Sequence, residues 1–403
     1  MKADVVIVGA GIVGLATAYQ LSRIKPGLSI CILEKEAGPA FHQSSHNSGV
    51  IHSGIYYEPG GSKAVNCKKG YRYLLEFCDQ HDLEYEICGK VIVATQEDEI
   101  PRLQKIYQRG IANGLQGLEI LNAAATREKE PHVRAVQSIW VPQAGIANYK
   151  KVAEKYLELV QQAGGQAHFQ SPVIDIIKEH NSHRVITPNV EVNARLTISC
   201  GGLYSDKITK MTQPESPIQI LPFRGEYYEL VPEKQYLVNN LIYPVPNPNF
   251  PFLGVHYTRM IEGGIEAGPN AVLAFQREGY SRWDINRKEL WETLSYSGFQ
   301  KMARRYWRNG LGEMYRSFSK AAFVKALQHL IPEVGDNDLQ RGRSGVRAMA
   351  CDPQGNLLDD YRIFEGPGIL HVANTPSPAA TASLAIGEMV AERGIRNMGV
   401  EGF

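Results

Sequence analysis

The glycine spacing near the N-terminus constrains this chain most. Asp4-Val5-Val6-Ile7-Val8 is a short apolar, β-branched run, the pattern of a strand buried in a parallel sheet. Gly9-Ala10-Gly11-Ile12-Val13-Gly14 follows at once, and residues 15–21 then read as a helix. A second apolar strand, residues 29–33, ends in Glu34. Gly9 permits a tight turn, Gly11 lets backbone approach a pyrophosphate, and Gly14 lets the helix pack close to the strand. The helix N-terminus adds free N–H groups and the positive end of its dipole. Glu34 stands twenty residues after Gly14, where a carboxylate can accept hydrogen bonds from a ribose. These parts in this order predict a dinucleotide site.

The next stretch separates the two common dinucleotides. A simple NAD enzyme continues with alternating strands and helices. Here Phe41-His42-Gln43-Ser44-Ser45-His46-Asn47-Ser48-Gly49 is a polar loop without apolar period. Many short hydrogen-bonding side chains suit a long polar cofactor lying across the sheet, which favours FAD.

Further along, residues 63–80 and 101–113 have helical spacing, and Asn148 caps a predicted helix over 149–163. Strands are predicted at 85–87, 90–93, 138–142, 173–177, 190–195 and 196–200. Residues 217–274 change to short alternating runs rich in Pro, Gly and Tyr, which predict antiparallel sheet. Residues 281–330 are helical and basic, and 369–373 form a last strand before a helix over 376–393. The predicted fold is α/β: a Rossmann-type FAD-binding domain with an interleaved α+β substrate domain built on an antiparallel sheet. The FAD-binding domain takes residues 1–82, 146–215 and 335–403. The substrate domain takes 83–145 and 216–334.

Composition removes other classes. There are 43 basic and 42 acidic residues, a net charge of +1, so a dedicated nucleic-acid binder is not expected. Hydrophobic residues at 43% and charged residues at 21% are globular proportions, not disordered or fibrous ones. No apolar run reaches the ~18 residues of a membrane span. The apolar N-terminus ending in Ala16-Thr17-Ala18 mimics a signal peptide, but its removal would destroy the glycine motif. Six scattered cysteines, with no metal spacing, read as free thiols in a reducing compartment, and no metal site is expected. The expected location is the cytoplasm.

Beyond the glycine motif, the segments Ser48-Gly49-Val50-Ile51-His52-Ser53-Gly54-Ile55-Tyr56-Tyr57, Gly201-Gly202-Leu203-Tyr204-Ser205-Asp206, Ser344-Gly345-Val346-Arg347-Ala348 and Pro376-Ser377-Pro378-Ala379-Ala380-Thr381 resemble the FAD-dependent D-amino-acid-oxidase-like superfamily. Within it they are most similar to the L-2-hydroxyglutarate oxidase/dehydrogenase family, along nearly the whole chain. The resemblance implies oxidation of L-2-hydroxyglutarate to 2-oxoglutarate with FAD, and in some members electron transfer to a membrane quinone. It implies cofactor contacts at Gly9, Gly11, Gly14, Glu34, Lys35, Ser44, Ser45, His46, Asn47, Ser48, Gly49, Val173, Gly201, Leu203, Ala380 and Thr381. Arg347 matches the superfamily's carboxylate-holding arginine, although Ala348 stands where many relatives have proline.

The residues support that chemistry independently. A 2-hydroxy acid needs a fork-shaped cation for its carboxylate, and Arg347 lies in an apolar setting. It needs a base for the hydroxyl proton, and His52 is the first candidate with His256 as rival. Tyr56, Tyr57, Arg224 and Tyr243 are further candidates for a dicarboxylate substrate's polar groups. Oxidation of another small acid or amine, as by a glycine-oxidase-like or glycerol-3-phosphate-dehydrogenase-like enzyme, is the alternative, and a non-catalytic redox sensor a third.

Between Arg277 and Leu330 the chain carries a net +6. Phe299, Met302, Tyr306 and Leu311 recur at helical spacing there, with basic residues on other faces and Trp291 and Trp307 nearby. Such a segment can lie on an anionic membrane surface, on the inner face, and bring the enzyme to a quinone.

Overall fold

The structure, a computed structural model, describes residues 1–247 and 252–399. Residues 248–251, inside the stretch read as antiparallel sheet, lie outside the described residues.

The strand Lys2–Val8 is central to an eight-stranded sheet. It pairs in parallel with Ile30–Leu33 on one side and Glu191–Ser199 on the other. Gln166–His168 extends one edge in parallel, and Ile369–Asn374 pairs in parallel with the far half of Glu191–Ser199. Helix Ile12–Ile24 leaves the first strand and is buried along most of its length. Helix Ser383–Asn397 crosses it closely: a Cβ on Gly387 would stand 2.6 Å from the Ala16 carbonyl carbon. Strands 190–195 and 196–200 are in fact one nine-residue strand, Glu191–Ser199, whose first part (Glu191–Ala194) and last part (Thr197–Ser199) pair with different neighbours on the same edge.

A nine-stranded mixed sheet forms the second layer. Its spine is the antiparallel pair Gln219–Leu230 and Leu339–Cys351. Ile265–Gly268, His256–Arg259, Leu241–Pro244 and Lys90–Ala94 follow in order. The boundary expected at residue 335 is therefore corrected. Leu339–Cys351 belongs to the substrate sheet, and the first sheet is rejoined at Arg362–Gly366. A small sheet of Val50–Ile51, Gly145–Ala147 and Tyr85–Glu86 lies apart from both.

Asn148 caps its helix as expected, its Oδ1 accepting from the Lys150 and Lys151 N–H groups. The strand expected at 173–177 is Asp175–Lys178, and the helix expected from 376 begins at Ser383 after a run of turns. The basic segment is three helices, Arg287–Ser295, Ser297–Phe318 and Lys320–Leu327. The middle one breaks at Tyr306 (φ −115, ψ 16). Before the break Phe299, Met302 and Tyr306 pack against the substrate sheet. Leu311, expected on that face, instead joins Trp307, Tyr315 and Phe318 in an exposed stripe. No helix among the described residues is long and apolar enough to cross a membrane.

Candidate active site

The glycine loop has the shape its spacing predicts. Gly9 adopts φ +103, and a Cβ there would press on the Cys200 carbonyl oxygen at 2.6 Å. A Cβ on Gly11 would meet only Ser44 Oγ, at 3.4 Å, so the space before the helix stays open. Ser44 Oγ accepts from Ile12 N at 2.9 Å. The next N–H groups, those of Val13 and Gly14, meet no protein acceptor, which leaves donors for a phosphate. Glu34 accepts from Ala10 N at 2.7 Å and Glu36 N at 2.9 Å, which fixes it beside the loop. These cradles fit the pyrophosphate and ribose of FAD.

The loop expected along the flavin is braced from within and behind. Asn47 donates to the Gln43 and Ser44 carbonyls and accepts from Gly49 N. His46 leans on the Tyr280 ring, centroids 4.4 Å apart, and Ser45 bonds its ring nitrogen. Arg343, which sequence reasoning missed, donates to the Ser45 and Asn47 carbonyls and is paired with buried Glu266. Gly345 allows this close approach, since a Cβ there would lie 2.2 Å from the His46 carbonyl oxygen. Ala348 N donates to Gln43 Oε1 at 2.9 Å, a bond that proline could not make. That is the physical correlate of alanine at this position.

Other cofactor candidates fall around the same sheet. Val173 precedes its strand, and Gly201 and Leu203 follow the strand Glu191–Ser199. Ala380 and Thr381 lie in the last turn before the final helix, not in it. Thr381 Oγ1 accepts from His52 N at 3.1 Å and bonds the Tyr149 hydroxyl at 2.8 Å. Ser48 bonds the Tyr243 hydroxyl. The Lys35 ammonium is engaged elsewhere, in a cluster with Glu36, Glu278 and His42.

The substrate candidates assemble on one face of the second sheet. His256 and Tyr243 lie ring to ring at 4.0 Å. Tyr227 lies within electrostatic reach of Arg347, whose guanidinium carbon is 5.9 Å from the Phe252 ring centre. Burial, with the charges of Arg347 and Lys90 adding to the effect, pushes His256 down to about 4. Burial pushes His52 down to about 3, with Lys90, His256 and Lys63 adding to the effect. Both imidazoles are therefore neutral near pH 7. His256 Nδ1 lies 2.9 Å from the Gly254 carbonyl, which can only accept, so Nδ1 carries the proton and Nε2 is left as an acceptor. His52 Nε2 meets the Ser377 hydroxyl at 3.4 Å.

The tyrosines divide. Among the described residues the Tyr56 hydroxyl is buried without a hydrogen-bond partner, and Tyr57 lies close to Ser377. Arg224 is not available to a substrate. It is buried, pairs with Glu226 at 3.0 Å and donates to the Gly279 and Ser281 carbonyls. A second missed residue is Lys90, on the strand Lys90–Ala94, 1% exposed and set among these groups. Its one sequence signal was a lysine opening an otherwise apolar strand.

A phosphate loop at one sheet and neutral imidazoles with an arginine on the facing one define an oxidoreductase that works through a bound dinucleotide. The chain belongs to the FAD dependent oxidoreductase family, whose model matches residues 4–393, and FAD is its cofactor. The L-2-hydroxyglutarate dehydrogenase of Indibacter alkaliphilus is 51% identical, over 97% of this chain and 98% of that one. The mitochondrial L-2-hydroxyglutarate dehydrogenase of Homo sapiens is 45% identical, over 96% and 88%. Among solved structures, L-alpha-glycerophosphate oxidase from Mycoplasma pneumoniae with FAD bound shares the fold, with TM-score 0.80 at 22% identity over 100% of this chain and 96% of that one.

Proposed function

We propose that this enzyme oxidises L-2-hydroxyglutarate to 2-oxoglutarate. The observation that carries the reading is the sheet face on which Arg347 stands beside a neutral His256 whose Nε2 is free to take a proton. The relatives named for this activity, alike along nearly the whole chain, support it. In this reading Arg347 holds the carboxylate next to the carbinol carbon through two parallel N–H bonds. His256 Nε2 takes the hydroxyl proton as the carbonyl forms. FAD, when bound, supplies the acceptor for the hydride leaving C2. In this reading His256 takes the role first expected of His52, which its free Nε2 supports, while the backbone N–H of His52 ties its loop to Thr381.

Substrate binding also prepares the base. The positive charges that hold His256 down come from the groups that meet an anionic substrate, so a bound carboxylate offsets them and raises the imidazole's basicity.

The test is reduction of the holoenzyme without air. Loss of the yellow colour with L-2-hydroxyglutarate is expected. Bleaching by glycine or glycerol 3-phosphate but not by L-2-hydroxyglutarate would replace this reading with the alternative.

The exposed stripe supports a further step. Trp307, Leu311, Tyr315 and Phe318 are each more than half exposed, and Trp283 and Trp291 are 76% and 71% exposed. Apolar side chains in a segment of net +6 fit an anionic bilayer surface. In this reading the enzyme docks peripherally on the inner face and hands its electrons to a quinone.

A further inference from the structure

Lys90 presents a physical problem. Its side chain is 1% exposed in the middle of the substrate sheet. Among the described residues no carboxylate pairs with it and no hydrogen-bond acceptor meets its ammonium. The nitrogen lies instead 4.8 Å from the Tyr56 ring centre and 4.9 Å from that of Tyr243. Two aromatic faces offset part of the cost of burying a cation, but a buried lysine without an anion is rare. Arg347, on the same face, has no acid paired with it among the described residues either. Glu266, which reaches this region beside Tyr227, is already paired with Arg343.

The charge count on this face is therefore lopsided. Two cations flank a pair of neutral imidazoles, with no carboxylate between them. The Tyr56 hydroxyl, buried and unpartnered, is a donor beside Lys90 with nothing to bind. A site with two unmatched positive charges and a spare donor complements a dianion, because complementary charge is what fixes a ligand's identity and register.

We propose that Lys90 is the specificity-determining anchor of the substrate, its ammonium and the Tyr56 hydroxyl taking the distal carboxylate while Arg347 holds the one beside the carbinol carbon. The proposal rests on the L-2-hydroxyglutarate reading and says which residue distinguishes a dicarboxylate from a simple 2-hydroxy acid. Burial pushes the Lys90 pKa down to about 8, so the ammonium keeps its proton at neutral pH. His256, between the two cations in electrostatic reach of both, then lies beside the chain that links the two carboxylates.

The experiment compares L-2-hydroxyglutarate with L-2-hydroxypentanoate, which has the same carbon chain and no distal carboxylate. Wild-type holoenzyme bleached by L-2-hydroxyglutarate establishes the substrate reading on its own. In Lys90→Met the preference for the dicarboxylate, as a ratio of kcat/KM values, should fall at least about 30-fold, with the monocarboxylate rate kept or raised. Glutarate, a non-reacting dicarboxylate, should lose its perturbation of the flavin spectrum in the variant, while pentanoate keeps its own. Lys90→Gln must move the ratio in the same direction. Equal loss on both substrates would make Lys90 part of the chemistry or the fold, and an unchanged ratio would make it a structural cation. Either result overturns the proposal.

Discussion

A Cβ on Gly14 would stand 2.1 Å from the carbonyl oxygen of Gly9, so the first helix and the turn before it can coexist only with glycine at residue 14. Gly11 is different, because a Cβ there meets only Ser44 Oγ at 3.4 Å. The two positions should therefore fail in different ways. Gly14→Ala forces the helix off the strand and should cost about 1–3 kcal/mol, with cofactor loss following from the shift. Gly11→Trp should fold with a melting temperature close to that of the wild-type protein stripped of FAD, yet take up no FAD, because the indole fills the phosphate space. Melting curves and the visible flavin spectrum of both variants check this. A yellow Gly11→Trp protein would remove the phosphate-loop assignment.

The histidines give a kinetic prediction. His256→Ala should slow flavin reduction by roughly 10²–10⁴, the range for loss of a positioned base. His52→Ala should change the reduction rate much less, since the bond to Thr381 comes from the backbone N–H, which alanine keeps, and the imidazole meets the Ser377 hydroxyl only at 3.4 Å. Stopped-flow reduction without air separates the two. A fast His256→Ala enzyme with a slow His52→Ala one would restore the order expected from sequence.

Part of the candidate site was legible because its signals are local. The glycine loop, the place of Glu34 beside it and the Asn148 cap each lie within a few dozen residues and carry their own geometry. What was missed is non-local. Leu339–Cys351 contains charged and small residues without a clean alternation, and only its pairing with Gln219–Leu230 assigns it to the substrate sheet. Arg224 looked like Arg347 in sequence; its partner Glu226 is two residues on, but the Gly279 and Ser281 carbonyls that complete its site are more than fifty positions away. Lys90 and Arg343 owe their meaning to residues more than a hundred positions away.

Acid should destabilise the protein through its buried imidazoles. His371 is fully buried between the Ser199 and Thr212 hydroxyls, and burial pushes it down to about 4, with His183 adding to the effect. His256 is also pushed down to about 4. The unfolded chain takes up these protons near pH 6.5 and the folded one does not until about 4. Stability is therefore lost as pH falls through that window, by up to about 1.4 kcal/mol per pH unit for each histidine. Denaturant midpoints from pH 7 to 4.5 should show the slope, and His371→Gln should reduce it. An unchanged slope in that variant would place the acid sensitivity elsewhere.

Asp206 and Arg277 join the two layers. Both are nearly fully buried, and two parallel bonds of 2.6 and 2.9 Å link guanidinium and carboxylate. Arg277 NH1 also donates to the Leu203 carbonyl, beside the cofactor candidates. Removing the carboxylate leaves a buried cation without its partner, so Asp206→Ala should cost about 3–5 kcal/mol. Asp206→Ala with Arg277→Met should recover much of that loss. A double variant no more stable than the single one would show that the pair's worth lies in its other bonds.

The exposed stripe of the helix Ser297–Phe318 makes a prediction about place. Its C-terminal half turns Trp307, Leu311, Tyr315 and Phe318 outward, after the break at Tyr306 has let the N-terminal half pack inward. A helix packed on its own domain has no use for that stripe, whereas a bilayer surface would bury it. The holoenzyme should co-sediment with vesicles containing anionic lipid and much less with neutral ones, because the segment's charge and its apolar stripe act together. Trp307→Glu with Leu311→Glu should lower binding at least about tenfold for each side chain removed, from the apolar burial lost. Reoxidation by a quinone should then outpace reoxidation by oxygen in the bound enzyme. If the protein stays in the supernatant with both vesicle types, and oxygen serves as well as a quinone, the stripe belongs to a protein contact and the membrane reading falls.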